Sequence, residues 1–218
     1  MALTKFNYNS FDLTTVASTG LAFNSSANGF DTATPGAMTL IATNTISSGV
    51  ASSSFTSGID STYDTYVFKF INIQPATNDV RFVFNFSTDG GSNYNVTKTT
   101  TLFHARHEED DSYTEFGYVS SRDLAQSTSD QQISVYTLKN SNPESTSGEL
   151  YLFSPSSTTF VKHFLGVANE SGAGSSPVCS PSYYAGYCNT TSAVDAVDFA
   201  ISSGTIDSGV IKMYGITK

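Results

Sequence analysis

The sequence has no tryptophan and is poor in charge and in long apolar runs. Only 13% of its 218 residues are charged. Leucine, glutamate, lysine and arginine, all strong helix formers, are scarce, and this disfavours a helical bundle. The apolar runs are too short for a membrane-spanning helix, so we expect no insertion into a membrane. The missing tryptophan counts against a sugar-binding module, because tryptophan is the strongest aromatic platform.

Hydroxyl and aromatic side chains are abundant instead. The chain contains 34 serines, 28 threonines, 16 phenylalanines and 12 tyrosines. An aromatic content of 13% excludes a disordered chain. Threonine, phenylalanine, tyrosine, valine and isoleucine favour strands, while glycine, serine and asparagine favour turns. The length is enough to bury a large core, and it is common for a single all-β domain.

The charge balance restricts the partners that the chain can bind. Ten basic and nineteen acidic residues give a net charge of −9. An acidic surface repels phosphate, so we expect no nucleic-acid partner and no attraction to anionic membranes. The first twenty residues lack the charged-then-apolar pattern of a signal peptide, which predicts synthesis in the cytoplasm.

Strand-like alternation of aromatic side chains is the main structural signal. It is clearest at residues 63–73 and 80–87, and in the second segment Phe82, Phe84 and Phe86 all point one way. Further strands are predicted at residues 38–42, 113–119, 131–138, 149–153, 160–167, 193–201 and 210–216. No segment shows a helical stripe longer than two turns.

Two segments are predicted to be turns or loops. Residues 88–92, TDGGS, supply the glycines of a tight hairpin turn, with a return strand from Tyr94 to about Phe103. Residues 172–188 are rich in glycine, serine, proline and tyrosine, which predicts a long loop.

About ten short strands separated by turns predict an all-β fold, either a β-sandwich or a barrel, and we expect an antiparallel β-sandwich. We divide the chain into an N-terminal arm or attachment segment at residues 1–36 and a sandwich domain at residues 37–218. In the first segment, alternation of Phe6 with Tyr8 and of Phe11 with Leu13 has two interpretations. It is either an ordinary first strand with a loop, or an extended arm that adds to a neighbouring subunit's sheet.

Catalytic motifs are missing. The three histidines are His104, His107 and His163, and there is no G-x-S-x-G nucleophile motif or phosphate-binding glycine loop. His104 and His107 stand beside the acidic residues 108–111, which we interpret as an exposed acidic loop between two strands. We therefore predict no catalytic residues, no metal site, no cofactor and no enzymatic activity. A pair of glycosidase carboxylates among the nineteen acidic residues is the remaining enzymatic alternative.

Two cysteines bracket a tyrosine-rich stretch. Cys179 and Cys188 could form a disulfide or remain two free thiols, and the sequence leaves both open. Tyr183, Tyr184 and Tyr187 between them are candidates for a binding surface, because tyrosine offers rigid amphipathic contact area. The alternative is that these rings pack over the end of the sandwich or into a neighbouring subunit.

Three segments resemble a known family. Residues 55–73, FTSGIDSTYDTYVFKFINI, are followed by STDGGSNY at residues 87–94 and by SGVIKMYGI at residues 208–216. This order is similar to that in structural proteins of tailed bacteriophages, especially phages of aquatic bacteria. In those proteins an Ile-Asp-x-x-Tyr-Asp-x-Tyr start leads into a long strand, and a strand of the type Ser-Gly-x-Ile-x-x-Tyr-Gly-Ile often comes last.

The resemblance implies a jelly-roll-like sandwich displayed on the virion after synthesis in the host cytoplasm. Its role would be that of a capsid decoration or head fibre, or of a tail fibre or receptor-binding adhesin. The implied partners are other virion proteins and copies of the chain itself in a homo-oligomer, expected to be a trimer, with a host surface glycan as a further candidate. The family carries no defined catalytic residues. A lectin-like carbohydrate-binding module is the alternative function, and a glycan-cleaving enzyme is less favoured.

Overall fold

The structure is a computed structural model, and it describes residues 20–23, 30–33, 38–141, 143–171 and 177–216. The chain divides into two units, Met1–Thr39 and Leu40–Lys218. In the first unit the described residues include an antiparallel pair of strands, β1 (Gly20–Phe23) and β2 (Phe30–Ala33). The domain boundary predicted between residues 36 and 37 lies outside the described residues and stays a prediction.

The remaining described strands form two antiparallel sheets. They are, in chain order, β3 (Met38–Ile46), β4 (Ser52–Phe55), β5 (Thr65–Pro75), β6 (Phe82–Ser87), β7 (Lys98–Glu108), β8 (Thr114–Tyr118), β9 (Gln131–Gln132), β10 (Thr146–Phe153), β11 (Lys162–Ser171), β12 (Val178–Cys188), β13 (Ala196–Ile201) and β14 (Ile206–Ile216). The eight-stranded sheet has the order β3-β14-β5-β10-β11-β12-β7-β8, and the four-stranded sheet has the order β4-β13-β6-β9. The predicted all-β antiparallel sandwich is confirmed.

Phenylalanine side chains from both sheets fill the space between them. Phe82, Phe84 and Phe86 of β6 point into the core as predicted, and each is at most 1% exposed. Phe199 of β13 lies among the core rings, with its centroid 5.8 Å from that of Phe82 and 5.6 Å from that of Phe68 in the opposite sheet. Burial of each such side chain contributes about 1.5–3 kcal/mol, which explains why the two sheets pack face to face.

Most predicted strands are present with shifted ends. The segments predicted at residues 63–73, 80–87 and 210–216 correspond to β5, β6 and β14. Strand β4, with the sequence SSSF, carries too little alternation to be predicted. It forms because its register against β13 places Phe55 opposite Val197 and lets Ser54 Oγ donate to Asp198 Oδ1 at 2.6 Å.

The predicted hairpin at residues 88–92 is wrong, although a turn is present there. Asp89 Oδ1 accepts hydrogen bonds from Ser87 Oγ at 2.7 Å and from the Asn93 backbone N–H at 2.9 Å, which closes the turn. The chain then leaves the four-stranded sheet, and β7 joins the eight-stranded sheet beside β12 and β8. Glycine and aspartate locate a turn, but they do not determine which sheet the next strand joins.

The segment predicted as a strand at residues 131–138 is mostly irregular. Only Gln131–Gln132 form a strand, against β6. Beyond them the backbone amides find side-chain acceptors: Val135 N–H donates to Ser182 Oγ at 3.1 Å, and Tyr136 N–H donates to Glu170 Oε1 at 2.8 Å. Polar groups on the inner face of the large sheet thus replace a neighbouring strand as hydrogen-bond partners.

Candidate functional site

The outer face of the eight-stranded sheet is the candidate site. On β12, Ser182 and Tyr184 point inward and are buried, whereas Tyr183 between them points outward. The strand register places Tyr183 opposite Phe103 of β7, and Phe103 in turn opposite Tyr118 of β8. Outward aromatic side chains from three neighbouring strands therefore stand in one row across the sheet.

These rings contact one another but remain open to solvent. The rings of Phe103 and Tyr183 are stacked, with centroids 5.1 Å apart and planes 10° from parallel. Phe116 of β8 packs against Phe103 with a centroid separation of 5.8 Å. The exposed fractions are 77% for Phe116, 63% for Tyr118 and 43% for Tyr183. We call Phe103, Phe116, Tyr118, Leu165, Tyr183 and Tyr187 the open face.

A groove continues the open face toward β10 and β11. Its volume is about 440 Å³, and its walls include Phe153, His163, Leu165 and Tyr187. The groove exists because Ala185, a small residue, stands between Tyr183 and Tyr187 on the outer side of β12 and leaves space above the sheet. The ring of His163 lies 6.2 Å from that of Tyr187 at one end of the groove. The walls are mostly apolar and aromatic, which suits a flat apolar partner surface or the face of a sugar ring.

Charged residues hold the end of the β7–β8 hairpin beside the open face. The Arg106 guanidinium lies 5.0 Å from the ring centroid of Tyr113 and 5.0 Å from that of Tyr136, and it pairs with Glu108. Burial raises the pKa of Tyr136 above its ordinary value. The Tyr118 hydroxyl donates to Asp123. The contacts of Arg106 with Tyr113 and of Tyr118 with Asp123 lie at the two ends of β8, the edge strand that carries Phe116.

The three candidate tyrosines divide between the two faces. Tyr183 and Tyr187 lie on the open face, and Tyr187 lines the groove. Tyr184 is 2% exposed, its hydroxyl donates to Glu149 O at 3.0 Å, and burial raises the pKa of its phenol well above the ordinary value. The prediction that Tyr184 belongs to a binding surface is wrong, because neighbouring residues of a strand point to opposite faces.

The two cysteines cannot join to each other. Cys179 and Cys188 lie near opposite ends of the same strand, β12, nine residues apart. At about 3.3 Å per residue their separation is about 30 Å, far beyond the span of a disulfide. Both are free: Cys179 is exposed, and Cys188 is buried, which raises the pKa of its thiol to about 12. The intrachain disulfide is therefore excluded.

The loop predicted at residues 172–188 is also wrong over its second half, which is β12. Pro181, within this strand, has no N–H to donate to a neighbouring strand. It is accommodated where the regular pairing between β12 and β7 is interrupted, and Ser180 Oγ donates to Ala105 O at 3.2 Å there.

The predicted attachment residues Phe6, Tyr8, Phe11 and Leu13 lie outside the described residues. Phe103, Phe116 and Leu165 were not predicted from the sequence to be surface residues. Their signal was alternation within strands that were otherwise rich in threonine or glycine, and alternation alone does not tell which side of a strand faces the core.

The three histidine side chains do not form a cluster. His104 and His107 lie on β7 rather than in the acidic loop; His104 is buried, with its ring 5.6 Å from that of Tyr136, and burial lowers its pKa. His107 is exposed and lies 3.1 Å from Asp111. Among the described residues, no group of three or more His, Cys, Asp or Glu side chains is placed to hold a metal ion. That part of the chain also contains no helix long and apolar enough to cross a membrane.

Comparisons with protein-family models, with curated proteins and with solved structures found no match.

Proposed function

We propose that this chain is a bacteriophage virion structural protein that is displayed on the particle surface and works by assembly through its open face. The observation that carries the proposal is the row of exposed aromatic side chains on the outer side of the large sheet, in which Phe103 packs against both Tyr183 and Phe116. Phe116, Tyr118 and Tyr183 are at least 43% exposed, although each is an aromatic residue of a regular strand.

Contiguous aromatic surface is costly to leave in water and is the usual core of an interface. Monomeric proteins rarely expose apolar patches larger than a few hundred Å², and aromatic anchors account for much of the energy of protein interfaces. The rings of Phe103 and Tyr183 are already stacked before any partner binds. A second copy of the chain therefore gains apolar burial there with little loss of side-chain entropy.

The phage setting comes from the resemblance of residues 55–73, 87–94 and 208–216 to virion structural proteins. Within that setting the role is a capsid decoration or head fibre, or a tail fibre or adhesin. The partners are copies of the chain in a homo-oligomer, proposed to be a trimer, and other virion proteins. Enzymatic activity is not part of the proposal.

Light scattering on the purified chain tests the assembly. We expect the wild type to be an oligomer and Phe116→Ser to shift it toward monomer. Phe160→Ser is the matched control, because Phe160 is 71% exposed but lies outside the strands, before β11. A monomeric wild type over the whole accessible concentration range, or equal effects of the two variants, would contradict the proposal.

The groove supports one second candidate, a glycan-binding adhesin. Tyr187 and His163 at its wall and the nearby stacked pair could receive the apolar face of a sugar ring. Titration of host surface polysaccharide against wild type and Tyr187→Ala separates the candidates. Binding that disappears in the variant favours the adhesin, and a reducing-end assay in the same experiment detects cleavage.

Electron microscopy of the intact particle tests the setting. We expect density for the sandwich at the particle surface, on the head or on the tail, with the open face covered by neighbouring subunits. If the sandwich lies on the particle with its open face toward solvent, the chain is a virion protein, but it does not assemble through that face.

A further inference from the structure

Two lysines are buried side by side with a cysteine at one end of the sandwich. The register places Lys98 of β7 opposite Cys188 of β12, and Cys188 opposite Lys162 of β11. All three side chains are 0% exposed. Fully buried lysines are rare unless they have specific partners. Lys162 Nζ donates to a backbone carbonyl, Thr190 O, at 3.3 Å, whereas Lys98 also has a side-chain partner.

Lys98 contacts a side-chain amide. Its Nζ lies 2.5 Å from Asn85 Oδ1 and 2.8 Å from Val96 O. Because a C=O bond is about 1.23 Å long, Nζ is at most about 3.7 Å from the amide carbon, Asn85 Cγ. That is close to the separation of about 3–3.5 Å from which bound reactants attack.

The oxygen and the nitrogen of the Asn85 side-chain amide each have a partner suited to a reaction in which an amine replaces the amide nitrogen. The Phe86 backbone N–H donates to Oδ1 at 2.9 Å, where it would stabilise negative charge on that oxygen. The nitrogen that would leave, Nδ2, donates to Asp130 Oδ1 at 2.8 Å and to Thr128 O at 3.0 Å. Nucleophile, oxyanion donor and proton carrier therefore surround one buried carboxamide.

We propose that Lys98 and Asn85 join through an intramolecular isopeptide bond, with the Asp130 carboxylate as proton carrier. The neutral Lys98 amine attacks Cγ, and the carbonyl electron pair moves to Oδ1. Asp130 accepts a proton from the attacking nitrogen and passes it to Nδ2. The Cγ–Nδ2 bond then breaks and ammonia leaves. One C–N bond forms and one breaks, nothing is oxidised or reduced, and no co-reactant is needed.

Burial favours the reactive form of the amine. Desolvation lowers the pKa of Lys98 to about 8, so an appreciable part of this amine is neutral near physiological pH. The neighbouring thiol does not compete, because burial raises the pKa of Cys188 to about 12. Asp130 is exposed on its other side, which gives the released ammonia a path to solvent.

The bond would connect the two sheets. Asn85 belongs to β6 of the four-stranded sheet, and Lys98 begins β7 of the eight-stranded sheet. An isopeptide bond closes residues 85–98 into a covalent ring, so the start of β7 stays close to β6 even when the rest of the chain is denatured.

Mass spectrometry of the purified, denatured chain tests the proposal. We expect an intact mass lower than the sequence mass by one ammonia. Chymotrypsin cleaves after Phe86 and Tyr94, both between the two residues, so only a side-chain bond keeps Asn85 and Lys98 in one product. A succinimide at asparagine has the same mass loss but leaves the two peptides separate. A full sequence mass after long incubation at about pH 9, with separate peptides, would overturn the proposal.

Variants assign the roles. Lys98→Arg should show the full sequence mass, whereas Lys162→Arg, at the other buried lysine, should still lose one ammonia. Asp130→Asn alters an exposed side chain and so should keep the fold, but it should slow bond formation by about 100-fold or more. If Asp130→Asn forms the bond at the wild-type rate, or if Lys98→Arg still loses ammonia into a linked peptide, the assignment is wrong.

Discussion

The two faces of the eight-stranded sheet are both rich in aromatic side chains, yet they have opposite environments. On the inner face, Phe68 and Tyr184 pack against the phenylalanines of the four-stranded sheet and are at most 2% exposed. On the outer face, Tyr183 stacks on Phe103 and Phe116 packs against it at a tilt, but both stay exposed. Both faces carry aromatic side chains, but among the described residues only the inner face is covered by a second sheet.

The comparison separates the structural role of an aromatic side chain from its role in binding. A ring inside the sandwich stabilises the fold, because its burial is complete before any partner arrives. A ring on the open face stabilises the fold little and contributes chiefly when a partner covers it. Truncation of a ring on the inner face should therefore lower stability with little effect on association. Truncation of a ring on the open face should weaken association with little effect on stability.

The largest difference is expected between Phe199→Ala and Phe116→Ala. Phe199 contacts rings from both sheets, so its truncation should lower the free energy of unfolding by about 3–5 kcal/mol. Phe116 is 77% exposed, and its truncation should change stability by less than about 0.5 kcal/mol. Urea denaturation of dilute samples measures both. Similar losses in the two variants would contradict the distinction between the faces.

The free energy of unfolding is expected to depend on pH because of a buried carboxyl group on the inner face. Glu170 is 1% exposed, and burial raises its pKa from 4.5 to about 7. Between these values the folded chain keeps a proton that the unfolded chain has lost. The free energy of unfolding therefore falls as pH rises from 4.5 to 7, by about 3 kcal/mol, since a pKa difference of one corresponds to about 1.4 kcal/mol.

Glu170→Gln should remove most of this fall, because the amide stays neutral and its oxygen can still accept from the Tyr136 N–H. Urea denaturation at a series of pH values measures it. Glu149→Gln on the outer face, where Glu149 pairs with Lys69 at 3.3 Å, is the control and should leave the fall in place. Identical pH profiles for Glu170→Gln and wild type would show that Glu170 is not the group responsible.

A single methyl group added on the inner face should be costly. At Gly166 a Cβ would lie 2.3 Å from Tyr184 Cζ and 2.5 Å from Glu149 O, so Gly166→Ala should destabilise the fold by about 1–3 kcal/mol. Gly117→Ala in β8 is the matched control. Its nearest contact is 3.4 Å, to His104 Nε2, and we expect it to be tolerated. Thermal denaturation compares the two, and equal melting temperatures would argue against the close packing at Gly166.

The smallest effect is expected from removing one hydroxyl on either face. Tyr184→Phe loses the bond to Glu149 O and leaves that carbonyl without this donor, which should cost about 1 kcal/mol. Tyr183→Phe, one residue away on the open face, should cost almost nothing. Denaturation curves for the pair give the difference directly. A larger loss for Tyr183→Phe would mean that the two tyrosines are assigned to the wrong faces.

The layers of this fold were more predictable from the sequence than the connections between its strands. The alternating phenylalanines of β6 predicted a buried strand, and Gly90 with Gly91 predicted a turn. The crossing from β6 to β7 was missed, because a turn motif contains no information about the sheet that receives the next strand. Residues 131–138 were predicted as a strand because a buried irregular segment and a buried strand have the same apolar composition.

The candidate site was predicted only in part. Tyr183 and Tyr187 were identified from their clustering, but Tyr184 was included wrongly and Phe116 was not considered. Residues 178–188 were predicted as part of a loop because the segment is rich in glycine, serine, proline and tyrosine. They form β12 nevertheless, because the missing N–H of Pro181 falls where the regular pairing with β7 is interrupted. The pairing of Lys98 with Asn85 had no signal in sequence, since the two residues come from different sheets.

Composition and alternation by themselves determined that this chain is an all-β sandwich with a phenylalanine core. These two properties depend on local geometry, because successive side chains of a strand point to opposite sides and so give an alternating sequence one apolar face. Only the tertiary structure decided which of two aromatic faces is covered, that Cys179 and Cys188 cannot join, and that Lys98 meets an amide. These properties depend on which strands become neighbours, and strand order arises from contacts between residues far apart in the chain.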